Sequence, residues 1–401
     1  MRGSTGYRRA SAALCAAGAG TFTLLYATQA ILPLLARDFD VSPTTASLSL
    51  SVATGALALA LLPASAVANR WGTTRVMRAS MIAAAVLGLL APLAPTFELL
   101  LVVRTLQGVV MAGVPALAMA YLGREVNARS LGAAMGLLVA GNTLGGLSGR
   151  LVSSVVADLG GWRLGLAAVG LLSFALLAAF WWLLPAEGPP GGPERATAGA
   201  VPAWQHVRAH LRDSGLLRLF VISFVLMSAF VTVYNYLAFR LLAEPFGLSQ
   251  TLVGFIFLVY LAGTFASTVA GRLGDQVGRR RVLWVSLLIA QVAVLLTLPD
   301  HLGAVLVGLV LFTVGFFGAH TVASGWVSRR ASTGREQASS LYLLAYYAGS
   351  SVGGSLSGFA FGAAGWPGVV AVVSVLLGVA LVLGVGLRSL APASAAPSAV
   401  P

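Results

Sequence analysis

Gly271-Arg272-Leu273-Gly274-Asp275-Gln276-Val277-Gly278-Arg279-Arg280-Arg281 lies between two apolar runs, one ending near Ala270 and one beginning at Val282. Three glycines, one aspartate and four arginines in eleven positions do not suit hydrocarbon, so the stretch reads as a tight loop at a membrane surface. Arginine in loops beside spans marks the cytoplasmic side. The glycines around Asp275 permit a tight turn. They place its carboxylate to cap a helix or to pair with a neighbouring arginine such as Arg279.

A weaker copy, Ser65-Ala66-Val67-Ala68-Asn69-Arg70-Trp71-Gly72-Thr73-Thr74-Arg75, sits 206 residues upstream, with Asn69 in the place of Asp275. The chain around the two copies is 58% hydrophobic and 9% charged, against about 25% charged for a soluble domain. That composition points to a polytopic membrane protein embedded in a lipid bilayer. The net charge of +13 comes from arginines scattered through short loops, so topology accounts for it and no nucleic-acid partner is expected. All 25 basic residues are arginine, which suggests a GC-rich bacterial genome rather than chemistry. Cys15 stands alone, excluding a disulfide framework and a thiolate metal site. No nucleophile motif, metal cluster or phosphate loop is present, so no catalytic residue, metal or cofactor is expected.

Formal charge disappears over 10–36, 41–69, 79–97, 105–123, 130–149, 164–186, 219–239, 245–271, 282–299, 301–328 and 337–387. The last gap is long enough for two spans, with a break between Phe361 and Gly368, which makes twelve helices. A β-barrel is excluded because the runs are continuous rather than alternating. The run after Arg8 and Arg9 reaches Leu35 without a clear cleavage site and reads as an uncleaved first span. With both termini inside, twenty arginines fall in cytoplasmic segments, and only Arg37, Arg104, Arg150, Arg163 and Arg240 lie in spans or outside. The expected organisation is a six-helix bundle over 1–185, a cytoplasmic linker over 186–214 with a short surface helix near Trp204 to Leu211, a second six-helix bundle over 215–390 and a disordered tail over 391–401.

Other landmarks recur at a similar offset. Gly141-Asn142-Thr143-Leu144-Gly145-Gly146 returns 208 residues later as Gly349-Ser350-Ser351-Val352-Gly353-Gly354; Gly161-Trp162 returns 204 later as Gly365-Trp366; Tyr26 returns 208 later as Tyr234. Four landmarks in order indicate a parallel repeat, hence an all-α membrane protein of two pseudo-symmetric six-helix bundles.

The pattern G-x-x-x-D-x-x-G-R-R-R resembles motif A of the major facilitator superfamily, the loop joining the second and third spans of each half. The resemblance covers about residues 10 to 390 and implies gating roles for Asn69, Arg70 and Gly72 in the first copy. In the second copy the same role falls to Gly271, Asp275, Gly278, Arg279 and Arg280. Arg104-Thr105-Leu106-Gln107-Gly108 resembles motif B, linked to proton coupling in exporters. As a residue, Arg104 could snorkel to the outer surface or face a cavity with Gln107 one turn on; the motif favours the cavity. Gly141 to Gly146 resembles the antiporter motif, with Asn142 where that motif has proline. Small residues let helices approach closely in lipid, which is cause enough for Gly141, Gly145, Gly146, Gly349, Gly353 and Gly354, with a hinge role added. Gly141 to Arg150 and Ala319 to Trp326 look like the YnfM-type branch of bacterial inner-membrane exporters, which implies a multi-pass protein of the cytoplasmic (inner) membrane.

All acidic residues fall at span ends or in loops, so no carboxylate is expected at mid-membrane. His320, in the tenth span, is either a hydrogen-bonded packing residue or the proton carrier; Asp38 and Asp40 are alternatives on the outer side. Tyr26 and Gln29 in span one, Tyr234 and Asn235 in span seven, and Tyr342 and Tyr346 in span eleven are expected to line a midplane cavity with Asn142 and His320. The expected function is proton-driven export of a small apolar or amphipathic compound by a monomer, the proton gradient serving as coupling source. A sugar or polar-metabolite transporter on the same scaffold, or a membrane sensor that does not transport, are the alternatives.

Overall fold

The computed structural model describes residues 5–125, 128–184 and 203–387. The linker from 186 to 202 and the tail over 391–401 lie outside the described residues. Among those described, nine helical runs are long and apolar enough to cross a membrane. Three of them, Ala133–Leu183, Gln250–Leu296 and Arg335–Gly386, hold 51, 47 and 52 residues, more than twice the ~20 that a bilayer requires. Each turns back at glycine with positive φ: Gly161 at 79°, Gly278 at 94° and Gly365 at 60°. The nine runs therefore make twelve spans. Gly72, the counterpart of Gly278, has φ 90°, so both copies of the arginine-rich loop turn on the same backbone conformation, one that residues with a Cβ rarely adopt.

Span one comprises α1 (Thr5–Leu25) and α2 (Leu32–Asp38); α3 (Pro43–Trp71) and α4 (Thr73–Leu90) follow. Span four is α5 (Phe97–Met111) with α6 (Gly113–Glu125), and α7 (Ala128–Leu183) carries spans five and six. The amphipathic α8 (Ala203–Arg212) falls in the expected linker and leads into α9 (Ser214–Leu242). Span eight is α10 (Gln250–Ile256) with α11 (Tyr260–Leu273), and α12 (Arg279–Leu296), α13 (Leu302–Arg330) and the double-length α14 (Arg335–Gly386) complete the chain. Starts are set locally: the hydroxyls of Ser42, Thr96 and Ser249 accept from the third N–H of α3, α5 and α10.

Polarity runs opposite to that of a soluble protein. Leu59, Phe265 and Val382 are 77%, 73% and 71% exposed, while Gln29, Thr54, Ser153 and Asn235 are fully buried. Apolar side chains face lipid, and helix contacts are made by small and hydroxylated residues.

By contact density the chain forms two compact units: Met1–Glu194 with Val231–Tyr260 and Ser350–Val369, and Arg195–Phe230 with Leu261–Gly349 and Val370–Pro401. This division does not follow the halves of the repeat. Residues 231–260 and 350–369 belong to the first unit because they pack on its spans: a Cβ on Gly55 would lie 2.7 Å from Ser351 Oγ, and one on Gly358 would lie 2.5 Å from Thr44 Oγ1.

In the first unit Gly141, Gly145 and Gly149, one turn apart on α7, lie against the backbone of Cys15, Ala19 and Thr23 on α1. Thr23 Oγ1 donates to the Gly145 carbonyl at 3.1 Å. In the second unit Gly349 lies against the backbone of Phe224, and Ser228 Oγ donates to its carbonyl at 2.9 Å. A Cβ on Gly145 would meet the Ala19 carbonyl, whereas one on Gly136 of the same helix meets nothing within 4 Å. Gly145→Val is therefore expected to destabilise the detergent-solubilised protein by about 1–3 kcal/mol or more. Gly136→Ala is expected to leave its thermal unfolding temperature unchanged.

Candidate functional site

The first span, expected as one continuous helix, is broken. α1 ends at Leu25, residues 26–28 form a turn, Gln29–Ile31 form a 3-10 turn, and α2 begins at Leu32 with Pro33 in its first turn. Pro33 is the physical reason. It has no N–H for the Gln29 carbonyl, and its ring would collide with that carbonyl in a continued helix. At position 241, its counterpart in the repeat, the residue is leucine and α9 is unbroken.

The break frees carbonyls inside the bilayer, where each unsatisfied group is costly. The N–H of Gln29 bonds Tyr26 O at 3.1 Å instead of Leu25 O. Arg104 supplies the missing donors. Its Nη2 donates to Leu25 O at 2.6 Å, its Nη1 to Leu24 O at 2.9 Å and to Gln107 Oε1 at 2.8 Å, and its Nε to Ser49 O at 2.8 Å. Arg104 and Gln107 are 2% and 1% exposed. They do not snorkel; they brace spans one, two and four from within. The void that they line together with residues including Leu24, Ala27 and Gly88 measures ≈ 10 Å³, about the size of one water.

The break also projects Tyr26 and Gln29 onto a cation that sequence reading missed. Arg150 of α7 is 2% exposed. Its Nε donates to Gln29 Oε1 at 2.7 Å and its Nη1 to Gly146 O at 2.6 Å. Its guanidinium carbon lies 4.0 Å from the centre of the Tyr26 ring, 4.6 Å from Tyr260 and 5.4 Å from Phe257. Aromatic faces attract a desolvated cation by about 2 kcal/mol, and among the described residues no carboxylate pairs with it. Gln29 Nε2 then donates to Asn235 Oδ1 at 2.8 Å, and Tyr234 packs edge-on to Tyr260 at 4.9 Å. Gly146 leaves the room: a Cβ there would sit 3.1 Å from Arg150 Nη1 and 3.4 Å from Tyr26. Thus Tyr26, Gln29, Tyr234 and Asn235 come together in the first unit, with Arg150, Phe257 and Tyr260 added. Asn142 lies against Gly18, two turns from Arg150 along α7, outside this cluster.

Nearby in the first unit, Gln250 Nε2 donates to Ala30 O at 2.7 Å and to Ser154 Oγ at 2.8 Å. Asp38, an expected alternative proton site, accepts from Trp162 Nε1 at 2.7 Å and pairs with Arg163 at 2.8 Å. In the second unit His320 Nδ1 is 3.0 Å from the Tyr342 hydroxyl, and its ring is 4.8 Å from that of Tyr346 and stacked on Phe316. Ser223 Oγ donates to Tyr342 O at 3.2 Å, tying this group to α9.

The arginine-rich loop is latched by charge. Asp275 Oδ1 accepts from Arg279 at 2.9 Å and from Arg329 of α13 at 3.0 Å. The expected helix cap is not made; a second arginine takes its place. The hydrogen bond from Arg279 and the charge of Arg329 hold the Asp275 carboxyl below the usual carboxylate range. The latch is therefore intact above that range and lost only as pH falls below it. Next to it, burial acts to raise the Asp213 carboxyl, but hydrogen bonds from Arg330 at 2.8 Å and from the N–H groups of Leu216 and Gly215 hold it low. In the first copy Asn69 and Arg70 are exposed within the last turn of α3, so Asn69 caps nothing and has no partner among the described residues. Asp275→Asn is expected to lower the rate of substrate uptake into vesicles severalfold and Asn69→Ala to change it little; equal effects would show that the charge term is not what holds the loop.

The sequence matches the Major Facilitator Superfamily profile over residues 14–241 and 219–399. It is 40% identical over 380 residues to the uncharacterized MFS-type transporter YybF of Bacillus subtilis, covering 95% of this chain and 93% of that one. It is 39% identical over 387 residues to the inner membrane transport protein YnfM of Escherichia coli, covering 96% and 92%. The fold is similar to the crystal structure of a bacterial homolog of the human lysosomal transporter Spinster, at TM-score 0.74 and 18% identity over 96% of this chain and 95% of that one. The broken and glycine-packed spans, the repeat of the arginine-rich loop and these full-length matches agree: the chain belongs to the major facilitator superfamily of membrane transporters.

Proposed function

We propose that this secondary transporter exports small amphipathic compounds in exchange for protons, by alternating access, as a monomer with both termini in the cytoplasm. The halves that alternate are the repeats at 1–185 and 215–390. The observation that carries the reading is the character of the buried cluster. Gln29, Asn235 and Arg150 are walled by Tyr26, Tyr234, Phe257 and Tyr260. That is too few hydrogen-bonding groups for a sugar with a hydroxyl on every carbon, and enough to orient a molecule that is apolar with one polar end. A chloramphenicol resistance protein of Streptomyces lividans supports export: it is 28% identical over 266 residues, which cover 66% of this chain and 65% of that one.

Coupling is assigned to His320. Among the described residues no carboxylate lies away from a span end. Asp275 is kept ionised by two arginines, and Asp38 is bound to Trp162 and Arg163. His320 is the imidazole found inside a span, and the Tyr342 hydroxyl gives its proton a partner. In proteoliposomes containing a pH-sensitive dye, chloramphenicol is expected to drive proton movement and a hexose is not. His320→Gln, which keeps a hydrogen-bonding group near Tyr342 but does not titrate, is expected to abolish proton movement while retaining chloramphenicol exchange. Flux with the hexose alone would favour a sugar transporter, and binding without flux a membrane sensor.

A further inference from the structure

Hydrogen-bond chemistry fixes the orientation of the buried cluster. Arginine donates only, so Gln29 must present Oε1 to Arg150 Nε. Its Nε2 then faces Asn235, which must present Oδ1. Asn235 Nδ2 is left over: the residue is fully buried, and this donor has no acceptor among the described residues. Arg150 uses Nε and Nη1, and Nη2 has no acceptor among the described residues. The buried Ser51 hydroxyl is also without a partner among the described residues. It shares a space with Asn235, because a Cβ on Gly354 would lie 3.0 Å from Asn235 Nδ2 and 3.4 Å from Ser51 Oγ. The cluster is therefore cationic and has surplus donors. The aromatic faces that a lipophilic cation would need are already taken by the Arg150 guanidinium.

We infer that the cluster recognises an anion, and that the transported compounds are organic acids: an apolar body bearing a carboxylate that accepts from Arg150 and Asn235. This rests on the export reading and adds the sign of the charge. A carboxylate fits the vacant donors because it only accepts, whereas an ammonium only donates and would face a like charge in low dielectric.

The test uses three probes with one body: naphthylacetate, naphthylacetamide and naphthylethylammonium. Each is added to the full-length protein in nanodiscs, to read the ligand-induced rise in unfolding temperature, and to proteoliposomes, to read proton movement. Naphthylacetate is expected to stabilise and to drive flux at concentrations about tenfold or more below those required of the amide, and the ammonium to do neither. Arg150→Gln removes the anion response. Because that variant also disturbs packing, Asn235→Asp is the second arm. It keeps the acceptor for Gln29 and turns the surplus donor into an acceptor, so it is expected to remain folded and to lose naphthylacetate. Preference for the ammonium, or an unchanged naphthylacetate response in Asn235→Asp, overturns the anion assignment. Flux driven by chloramphenicol but by none of the three probes overturns the assignment and leaves export standing. Absence of flux with any of the four compounds overturns both.

Discussion

A guanidinium that fills the gap left by a broken helix is the interaction on which the interior of this transporter depends. Pro33 prevents the first span from continuing; the Leu25 carbonyl then loses its helical donor, and the Leu24 carbonyl keeps only a long bond from the Ala27 N–H at 3.3 Å, in a medium that cannot solvate them. Arg104 meets them from span four and reaches Ser49 in span two with the same planar group. Lysine, a point charge on a flexible stem, has no such reach. The break could not persist without these donors, since each buried unsatisfied carbonyl costs about 1–3 kcal/mol. Everything further along follows from its shape. Because residues 26–31 leave the helical path, Tyr26 and Gln29 meet Arg150, and Gln29 carries the hydrogen-bond chain to Asn235 in the second repeat.

Three kinds of arginine are thus built into the fold. Arg104 gives four of its five N–H groups to three backbone oxygens and the Gln107 side chain, so it serves the fold itself. Arg150 is held by two oxygens and three aromatic faces, with donor capacity to spare. A third group, Arg279 and Arg329, grips Asp275 at the surface, where half of the carboxylate side chain is exposed and salt weakens the attraction. That latch is suited to opening and closing, whereas a brace buried as deeply as Arg104 is suited to staying shut.

The fold was legible because lipid imposes it. Charge gaps marked the spans, and positive-φ glycines 206 residues apart, Gly72 and Gly278, turn both arginine-rich loops. The glycine seams were also legible, since small residues four apart have few other uses in a membrane. The site was legible only in part. Tyr26, Gln29, Tyr234 and Asn235 stood out as polar groups inside apolar runs, and they do meet. Arg150 did not stand out, because counting spans between charges turns every arginine into a boundary; α7 runs through it for nine more residues before the turn at Gly160 and Gly161. Phe257 and Tyr260, at the 3-10 turn that joins α10 to α11, look like any aromatic residues in a span until the structure sets them beside a cation. Arg104 was recognised by its motif, but the motif did not reveal the backbone carbonyls that it serves. A buried charge suggests a cavity unless the backbone it serves is known to be broken, and the sign of that break was a single proline, Pro33.

Arg104→Lys is the measurement that decides whether this picture is right, because it keeps the charge and removes the geometry. If the guanidinium is needed to bridge the carbonyls of Leu24, Leu25 and Ser49, the variant unfolds at a lower temperature, by about 2 kcal/mol or more of lost stability, and loses transport with it. A variant as stable as the parent and still active would mean that positive charge alone suffices at this position, and that the broken span is held by something else.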